Sequence, residues 1–269
     1  MRLVAAAALL LTLIIAPAAP AAASADLDTL PGTAWWTDPA TGVRMVAVDA
    51  SVAARDVDRL ARRAVTVVRE PGVRTRHGAG GDVLYNGSYR CTIGFNVSNP
   101  ATPNVYYFIT SGHCVGAVGS PVRSGPGGTV IGTVVQRLDS RDFALVRYTP
   151  SSVTRPPSAV NRYNGTLQPI TTFGTAFVGQ QVQRAGSTTG LRGGTVTALN
   201  ATVNYAEGTV YGLIRTTVCA EAGDSGGPLF AATVGLGLTS GGSGNCTTGG
   251  ISYFAPVTPL AANWSVGPY

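Results

Sequence analysis

The sequence of 269 residues predicts an all-β domain that is preceded by a leader and a small α+β unit. From about Gly78 onward, short β-branched and aromatic runs alternate with Gly, Pro, Asn and Ser, as in proteins made of many short strands. The chain has 45% apolar and only 12% charged residues, which is enough for a sizeable core. The pattern alone leaves a sandwich and a barrel open. The clearest predicted strands are residues 130–135, 143–148, 176–182, 195–199, 210–217 and 234–238.

Residues 1–25 are predicted to be a secretory signal peptide. One charge, Arg2, precedes the apolar run at residues 3–15, and Ala23-Ser24-Ala25 offers a small-residue cleavage site. The run is shorter than the roughly 20 residues that span a bilayer, and no later stretch is long enough, so we expect a released protein with no membrane partner. Secretion into an oxidising environment predicts that the four cysteines form two disulfides, for which three pairings are possible.

Residues 26–77 are predicted to form a separate α+β unit, because they hold eight arginines and seven acidic residues. Two strands flank the turn sequence Asp38-Pro-Ala-Thr-Gly42. A helix is predicted to follow with Ser51 as its N-cap, and Pro71-Gly72 ends the unit. The apolar residues at helical spacing are Ala53, Val57, Leu60, Ala61 and Ala64.

The basic residues do not predict a nucleic-acid partner. All 19 are arginine and the net charge is +6, but they are scattered and the longest run is Arg62-Arg63.

Ser225 is the candidate nucleophile. It lies in Cys219-Ala-Glu-Ala-Gly-Asp-Ser-Gly-Gly-Pro-Leu-Phe230, where glycines allow the backbone to approach it closely. A serine hydroxyl needs a nearby general base and N–H donors for the oxyanion that forms. In a tight turn the N–H groups of Gly223 and Ser225 can point into one concavity and serve as that oxyanion hole.

His113 is the candidate base. The chain has only two histidines and no lysine. His113 follows an apolar run that ends in Ser111-Gly112, so a strand delivers it, whereas His77 lies among arginines and glycine in a predicted junction.

Asp142 is the best candidate for the carboxylate that orients His113. It opens the strand Asp142-Phe-Ala-Leu-Val-Arg-Tyr148, whose apolar side chains would bury its surroundings. Asp139, in the preceding turn, is the alternative.

Chain order excludes other chemistries. An α/β-hydrolase would need a histidine after Ser225, and a Ser-Lys dyad would need a lysine. Two distant histidines and four cysteines that are expected to be bonded do not make a zinc site, so we expect no metal and no cofactor. The order His113, Asp142, Ser225 is that of chymotrypsin.

Three motifs carry a resemblance to the chymotrypsin-like serine proteases, in the bacterial streptogrisin and alpha-lytic protease branch. They are Thr110-Ser-Gly-His-Cys114, Asp142-Phe-Ala-Leu-Val146 and Gly223-Asp-Ser-Gly-Gly-Pro228, and segments 186–190, 195–205 and 239–246 are also similar to streptogrisins. The resemblance covers about the last two thirds of the chain. It implies two six-stranded antiparallel barrels within residues 78–269, with the site between them. It also implies the disulfides Cys91–Cys114 and Cys219–Cys246.

The resemblance further implies a secreted, monomeric serine endopeptidase that acts on protein or peptide substrates. The alternative is a protease-like protein that binds without cleaving. Residues 26–77 resemble pro-regions that assist folding, inhibit the site and are removed; the alternative is an N-terminal domain that stays attached. The resemblance places the cut after His77, and we expect residues 74–81 to be exposed and mobile because they are rich in glycine.

The same resemblance places the primary substrate pocket between two short segments. One wall is Ala220, Glu221 and Ala222, and the other is Ser240, Gly241 and Gly242. We expect this pocket to accept large apolar or aromatic residues, with basic residues as the alternative because of Glu221. Glutamate-specific relatives carry a histidine where this chain has Thr239. Asp224 is expected to be buried and therefore to need a partner, and the resemblance implies that this partner is Arg184.

Overall fold

The computed structural model describes Leu27, Leu30 and residues 33–48, 52–69, 78–149 and 155–269. The chain divides into two compact units, residues 1–74 and residues 75–269. The predicted signal peptide lies outside the described residues. No helix in the described part of the chain is long and apolar enough to cross a membrane.

The first unit is a three-stranded sheet with one helix. Strands β1 (Thr33–Thr37) and β2 (Arg44–Val48) form the predicted hairpin, and the carboxylate of Asp38 accepts two backbone N–H bonds within its turn. Helix α1 (Ala54–Ala61) packs Val57 and Leu60 on the sheet. The helix has Ala53 as its N-cap residue, and Ser51 lies outside the described residues.

One strand of the first unit was not predicted. Residues after α1 form β3 (Thr66–Arg69), which pairs parallel with β2. The helical spacing suggested a helix as far as Ala64, but the chain leaves the helix at Arg62 and its β-branched Thr-Val-Val run joins the sheet instead.

The second unit begins with a closed barrel. Its strands are β4 (Val83–Asn86), β5 (Tyr89–Thr92), β6 (Phe95–Ser98), β7 (Tyr106–Thr110), β8 (Pro121–Arg123), β9 (Val130–Leu138) and β10 (Phe143–Tyr148), in the order β5-β4-β8-β9-β10-β7-β6. Between β5 and β6, Ile93 N–H donates to Asp82 and Gly94 N–H donates to Ile109. These bonds continue both ladders, so β5 and β6 are one bent strand and the barrel has six.

A second barrel follows the short hairpin of β11 (Ala159–Asn161) and β12 (Leu167–Pro169). Its strands are β13 (Thr172–Phe173), β14 (Gln181–Gly186), β15 (Gly190–Tyr205), β16 (Gly208–Thr216), β17 (Pro228–Ala231), β18 (Val234–Asn245) and β19 (Gly249–Pro256), and helix α2 (Val257–Asn263) follows. Pairing of β18 with β19 closes a barrel of β14 to β19, while β13 adds in parallel to β18. The prediction of two six-stranded barrels is confirmed, with β13 as an additional parallel strand.

Buried side chains fill each barrel and the space between them. The first barrel is centred on Leu84, Phe108 and Val146, and the second on Val182, Leu229 and Phe254. A further cluster contains residues of both barrels and of α2, including Phe95, Phe143, Phe230, Leu238 and Leu260. Burial of this apolar surface holds the two barrels together and fixes the edges that meet at the candidate site.

Two sequence expectations are wrong. The predicted strand 176–182 is mostly a turn, in which Gln180 N–H donates to Phe177 and Gly179 has φ +90°, so the strand starts at Gln181. Residues 78–81, expected to be exposed, are buried because their backbone groups bond to buried polar side chains. Residues 70–77 lie outside the described part of the chain.

Candidate active site

The end of β7 delivers His113. A 3₁₀ turn at Gly112–Cys114 follows the strand, and the disulfide Cys91–Cys114 ties the residue after His113 to β5. The His113 ring remains 35% exposed, so it can meet a substrate. The two disulfides of the structure, Cys91–Cys114 and Cys219–Cys246, are the pairs that the resemblance implies.

Asp142 forms hydrogen bonds with both the ring and the backbone of His113. Nδ1 of His113 lies 2.9 Å and 3.0 Å from the two carboxylate oxygens, and the backbone N–H of His113 donates to Oδ1 at 3.0 Å. Asp142 has φ +50°, a left-handed conformation that costs about 1 kcal/mol for a residue other than glycine. These hydrogen bonds hold it there. The alternative, Asp139, has a 74% exposed side chain that pairs with Arg137, so the structure brings Asp142 and not Asp139 to His113.

The surroundings of this pair oppose and support its charges. Burial lowers the pKa of His113, but the hydrogen bond to Asp142 and the negative charge of Asp142 raise it by more. The charge of Glu207 also raises this pKa and that of Arg137 lowers it, and the net result is a raised pKa. Burial alone raises the pKa of Asp142, but bonds from His113 and Ser240 outweigh it, so the pKa of Asp142 is lowered. The pair therefore favours a charged carboxylate and a more basic imidazole.

Hydrogen bonds hold the Ser225 segment against β5 and near the end of β7. The carbonyl of Ser225 accepts the N–H of Thr92 at 2.8 Å. The carbonyl of Thr239 accepts both the N–H of Gly226 at 2.8 Å and the hydroxyl of Ser111 at 2.7 Å. The Thr239 carbonyl thus links Gly226, which follows Ser225, to Ser111, which lies two residues before His113. The two barrels meet at this carbonyl. Among the described residues the Ser225 hydroxyl has no hydrogen-bond partner, as is common before substrate binds.

The amide groups around Ser225 alternate in their use. The N–H groups of Asp224, Gly226 and Gly227 donate to backbone carbonyls at 2.8 to 3.0 Å. The N–H groups of Gly223 and Ser225 donate to no acceptor within the described residues. Gly223 has φ +94°, a backbone conformation that turns its amide relative to those of its neighbours. Residues with a side chain rarely adopt this conformation. Two donors are thus left available next to the Ser225 hydroxyl.

Asp224, the residue before Ser225, has a buried side chain that is paired with Arg184. It lies 3.2 Å from Nη1 of Arg184, and neither side chain is exposed (0% each). This is the pair that the resemblance implies.

The segments predicted to line the pocket are held by the disulfide Cys219–Cys246. The carboxylate of Glu221 accepts the N–H of Cys246 at 2.9 Å, which orients it toward the disulfide loop. Ala220 is half-buried and Ala222 is exposed, while Gly241 and Gly242 belong to β18 and pair with β19.

Two residues near this pocket have roles that the sequence analysis missed. The Ser240 hydroxyl donates to Oδ2 of Asp142 at 2.6 Å, so its side chain supports the carboxylate. The ring of Tyr205 lies against Gly241, where an added Cβ would be 2.7 Å from it. The Ser240-Gly-Gly242 sequence predicts a pocket wall and gives no sign of a contact with Asp142, and no local pattern marks Tyr205.

No metal site competes with this interpretation in the part of the chain that the structure describes. The only grouping of ligating atoms there is Cys91, Cys114 and His113, and both sulfurs are joined in a disulfide.

Comparison with known proteins gives consistent matches. Residues 79–264 match the family model described as Trypsin. The chain is 45% identical to Streptogrisin-A of Streptomyces griseus over 251 residues, which is 91% of this chain and 80% of that protein. Among solved structures, Thermobifida fusca Protease A is 44% identical with a TM-score of 0.63 and matches 70% of this chain and 96% of that chain. A glutamic acid-specific serine protease that uses a histidine triad in substrate binding is 41% identical, has a TM-score of 0.66 and matches 71% of this chain and all (100%) of that one.

Proposed function

Because this chain belongs to the trypsin family and is a serine endopeptidase of the chymotrypsin-like, streptogrisin branch, we propose that Ser225, His113 and Asp142 are its catalytic triad. Ser225 Oγ attacks the carbonyl carbon of the scissile peptide bond. His113 Nε2 accepts the hydroxyl proton and then donates it to the leaving amine. Asp142 keeps the other ring proton on Nδ1, so that Nε2 can act as the base. The contact of Nδ1 with both Asp142 oxygens, at 2.9 and 3.0 Å, carries this proposal.

The oxyanion that forms on the substrate is stabilised by the N–H groups of Gly223 and Ser225. Neither group has an acceptor among the described residues, so both can donate without losing an existing bond. In serine proteases one such donor contributes roughly 10²–10³ to kcat.

Fluorophosphonate labelling of the mature protein tests this function against the alternative of a silent binding protein. We expect one label, on Ser225, because only an activated serine reacts. Folded and processed protein that takes up no label would favour the binding protein.

The pH dependence of catalysis should follow His113. His113 must be neutral to act as the base, and its pKa is raised. We therefore expect the acidic limb of kcat/KM to have its midpoint at a higher pH than the pKa of an unperturbed histidine. Glu207→Gln removes a charge that raises this pKa, and the acidic limb should move to lower pH. Arg137→Gln should move it to higher pH. Limbs that coincide in both variants and the wild type would contradict this assignment of charges.

We propose that the pocket prefers large apolar or aromatic residues on the acyl side. One oxygen of the Glu221 carboxylate accepts the Cys246 N–H, which orients this carboxylate toward the disulfide loop, and Glu221 is the only acidic residue in the two predicted pocket segments. The glutamic acid-specific relative uses a histidine triad, whereas this chain has only His77 and the proposed base His113, with Thr239 beside the pocket.

Chromogenic peptides that differ only in the residue before the scissile bond test this preference. We expect kcat/KM for Phe and Leu to exceed that for Arg and Glu by at least about tenfold, since one buried unpaired charge costs more than 1.4 kcal/mol. Fastest cleavage after Glu or Arg would reject it.

We also propose that the protein is secreted and matures by proteolysis. Residues 1–25 direct export, residues 26–77 assist folding and inhibit the site, and residues 78–269 are the mature protease, a monomer acting on proteins or peptides. The disulfides Cys91–Cys114 and Cys219–Cys246 support an oxidising destination. N-terminal sequencing of the secreted protein tests the cut after His77.

A further inference from the structure

A buried polar cluster that the proposed mechanism does not use surrounds residues 78–82. The N–H groups of Gly78 and Ala79 both donate to Oδ2 of Asp82 at 3.0 Å. Asp82 is only 5% exposed, and its Oδ1 accepts the side-chain amide of Asn161 at 3.0 Å. The carboxylate is therefore built to receive nitrogen donors from the start of this unit.

The carbonyl side of Gly78 is held as well. The side-chain amide of Asn96 donates to it, and the hydroxyl of Tyr148 lies 3.2 Å from it and 2.8 Å from Oδ1 of Asn96. Asn96 and Tyr148 are 2% and 5% exposed. Tyr163 closes the cluster by donating its hydroxyl to the carbonyl of Gly81. Burial raises the pKa of Tyr148, so its hydroxyl stays protonated and available as a donor at neutral pH.

We propose that this cluster is the binding site of the α-ammonium group of a chain that starts at Gly78, with Asp82 as its counter-ion. The inference rests on the proposed cut after His77. Water adds across the peptide bond, leaving a carboxylate on His77 and an amine on Gly78 that takes up a proton. The bond from Gly78 to the Asp82 carboxylate, in which only the acceptor is charged, then becomes an ion pair in which donor and acceptor are both charged.

The burial of Gly78 gives this pairing a direction. A protease binds the residues on both sides of the scissile bond in an extended form, so Gly78 must leave the cluster to be cut. After the cut it can return with a positive charge, and the ion pair then holds the new end in place. Asp224 cannot take this role, because Arg184 already pairs with it at 3.2 Å.

Amine labelling of the mature protein tests the proposal directly. The sequence has no lysine, so a mature chain carries a single primary amine, its own N-terminus. We expect an N-hydroxysuccinimide ester at pH 7.5 to acylate the native mature protein at least about sixfold more slowly than the denatured protein, because an ion pair that raises the amine pKa by one unit leaves roughly one sixth to one eighth of the reactive form at that pH. Asp82→Asn, which keeps an oxygen acceptor but no charge, should restore most of the reactivity, and the same exchange at exposed Asp139 should not.

Stability separates a counter-ion from a structural role. Asp82→Asn should lower the Tm of the mature protein, kept intact by an active-site inhibitor, more than it lowers the Tm of the uncut Ser225→Ala precursor. The reason is that Gly78 carries a positive charge only in the mature protein. Equal losses in both forms, or fast labelling of a native wild-type chain that starts at Gly78, would overturn the proposal. A mature chain that sequencing shows to begin elsewhere would overturn both this proposal and the cut after His77.

Discussion

Ser225→Ala will lower kcat by roughly 10⁶, because the variant loses the nucleophile and with it the covalent step. A residual rate above that in water is expected from the oxyanion donors and from substrate binding. The rate is measured with a chromogenic peptide on variant precursor that wild-type enzyme has processed. After processing and before the rate is measured, fluorophosphonate treatment inactivates any trace of wild-type enzyme and leaves the variant unaffected.

Ser88→Ala is the matched control for this change. Ser88 lies in the exposed turn between β4 and β5, so its loss should leave kcat unchanged. A loss of less than about 10³ in folded Ser225→Ala would show that another residue carries the reaction.

Arg184→Ala will destabilise the protein by about 3–5 kcal/mol, because it leaves the carboxylate of Asp224 buried without a counter-ion. The guanidinium is fully buried, lies 3.2 Å from Asp224, and also donates to the carbonyl of Cys219 at 2.6 Å and the hydroxyl of Thr189 at 2.7 Å. Asp224 accepts further bonds from Thr188, Thr189 and Glu221, which the substitution leaves in place. Those bonds satisfy lone pairs but do not neutralise the charge.

Activity should fall together with stability in this variant. Asp224 lies between the two residues whose N–H groups are the proposed oxyanion donors, so a shift of its backbone displaces both. Urea unfolding and kcat/KM measure the two effects. The double variant Arg184→Met with Asp224→Asn should be less destabilised than Arg184→Ala, because it removes both charges. Unchanged stability and activity in Arg184→Ala would reject the pairing as a supporting element.

Much of the candidate site could be predicted because composition left few options. With two histidines and no lysine, the base had to be His77 or His113, and only His113 follows a predicted strand. Asp142 could be preferred over Asp139 because a carboxylate at the start of an apolar strand is buried whereas one in a polar turn is exposed, and the structure has this difference. These inferences use only residue type, chain order and local pattern.

Other expectations failed where local pattern was a poor guide. The glycine-rich start at residues 78–81 suggested exposure, because nothing apolar is there to bury. Its backbone is buried all the same, since Asp82, Asn96 and Tyr148 supply hydrogen-bond partners from three strands or their ends. Burial of a polar backbone depends on partners that are distant in sequence.

The sequence by itself determined the all-β class, the candidate nucleophile, base and carboxylate, and the presence of a separate N-terminal unit. Each depends on residue types and their spacing along the chain. Only the tertiary structure decided that Ser240 supports Asp142, that Glu221 binds the Cys246 loop, and that Asp82 receives the backbone of Gly78. The first of these contacts joins residues 98 apart in the chain and the second joins residues 25 apart, while the Asp82 carboxylate is held by Asn161, 79 residues away. Such distant contacts depend on strand register and barrel closure, which a two-residue alternation does not specify.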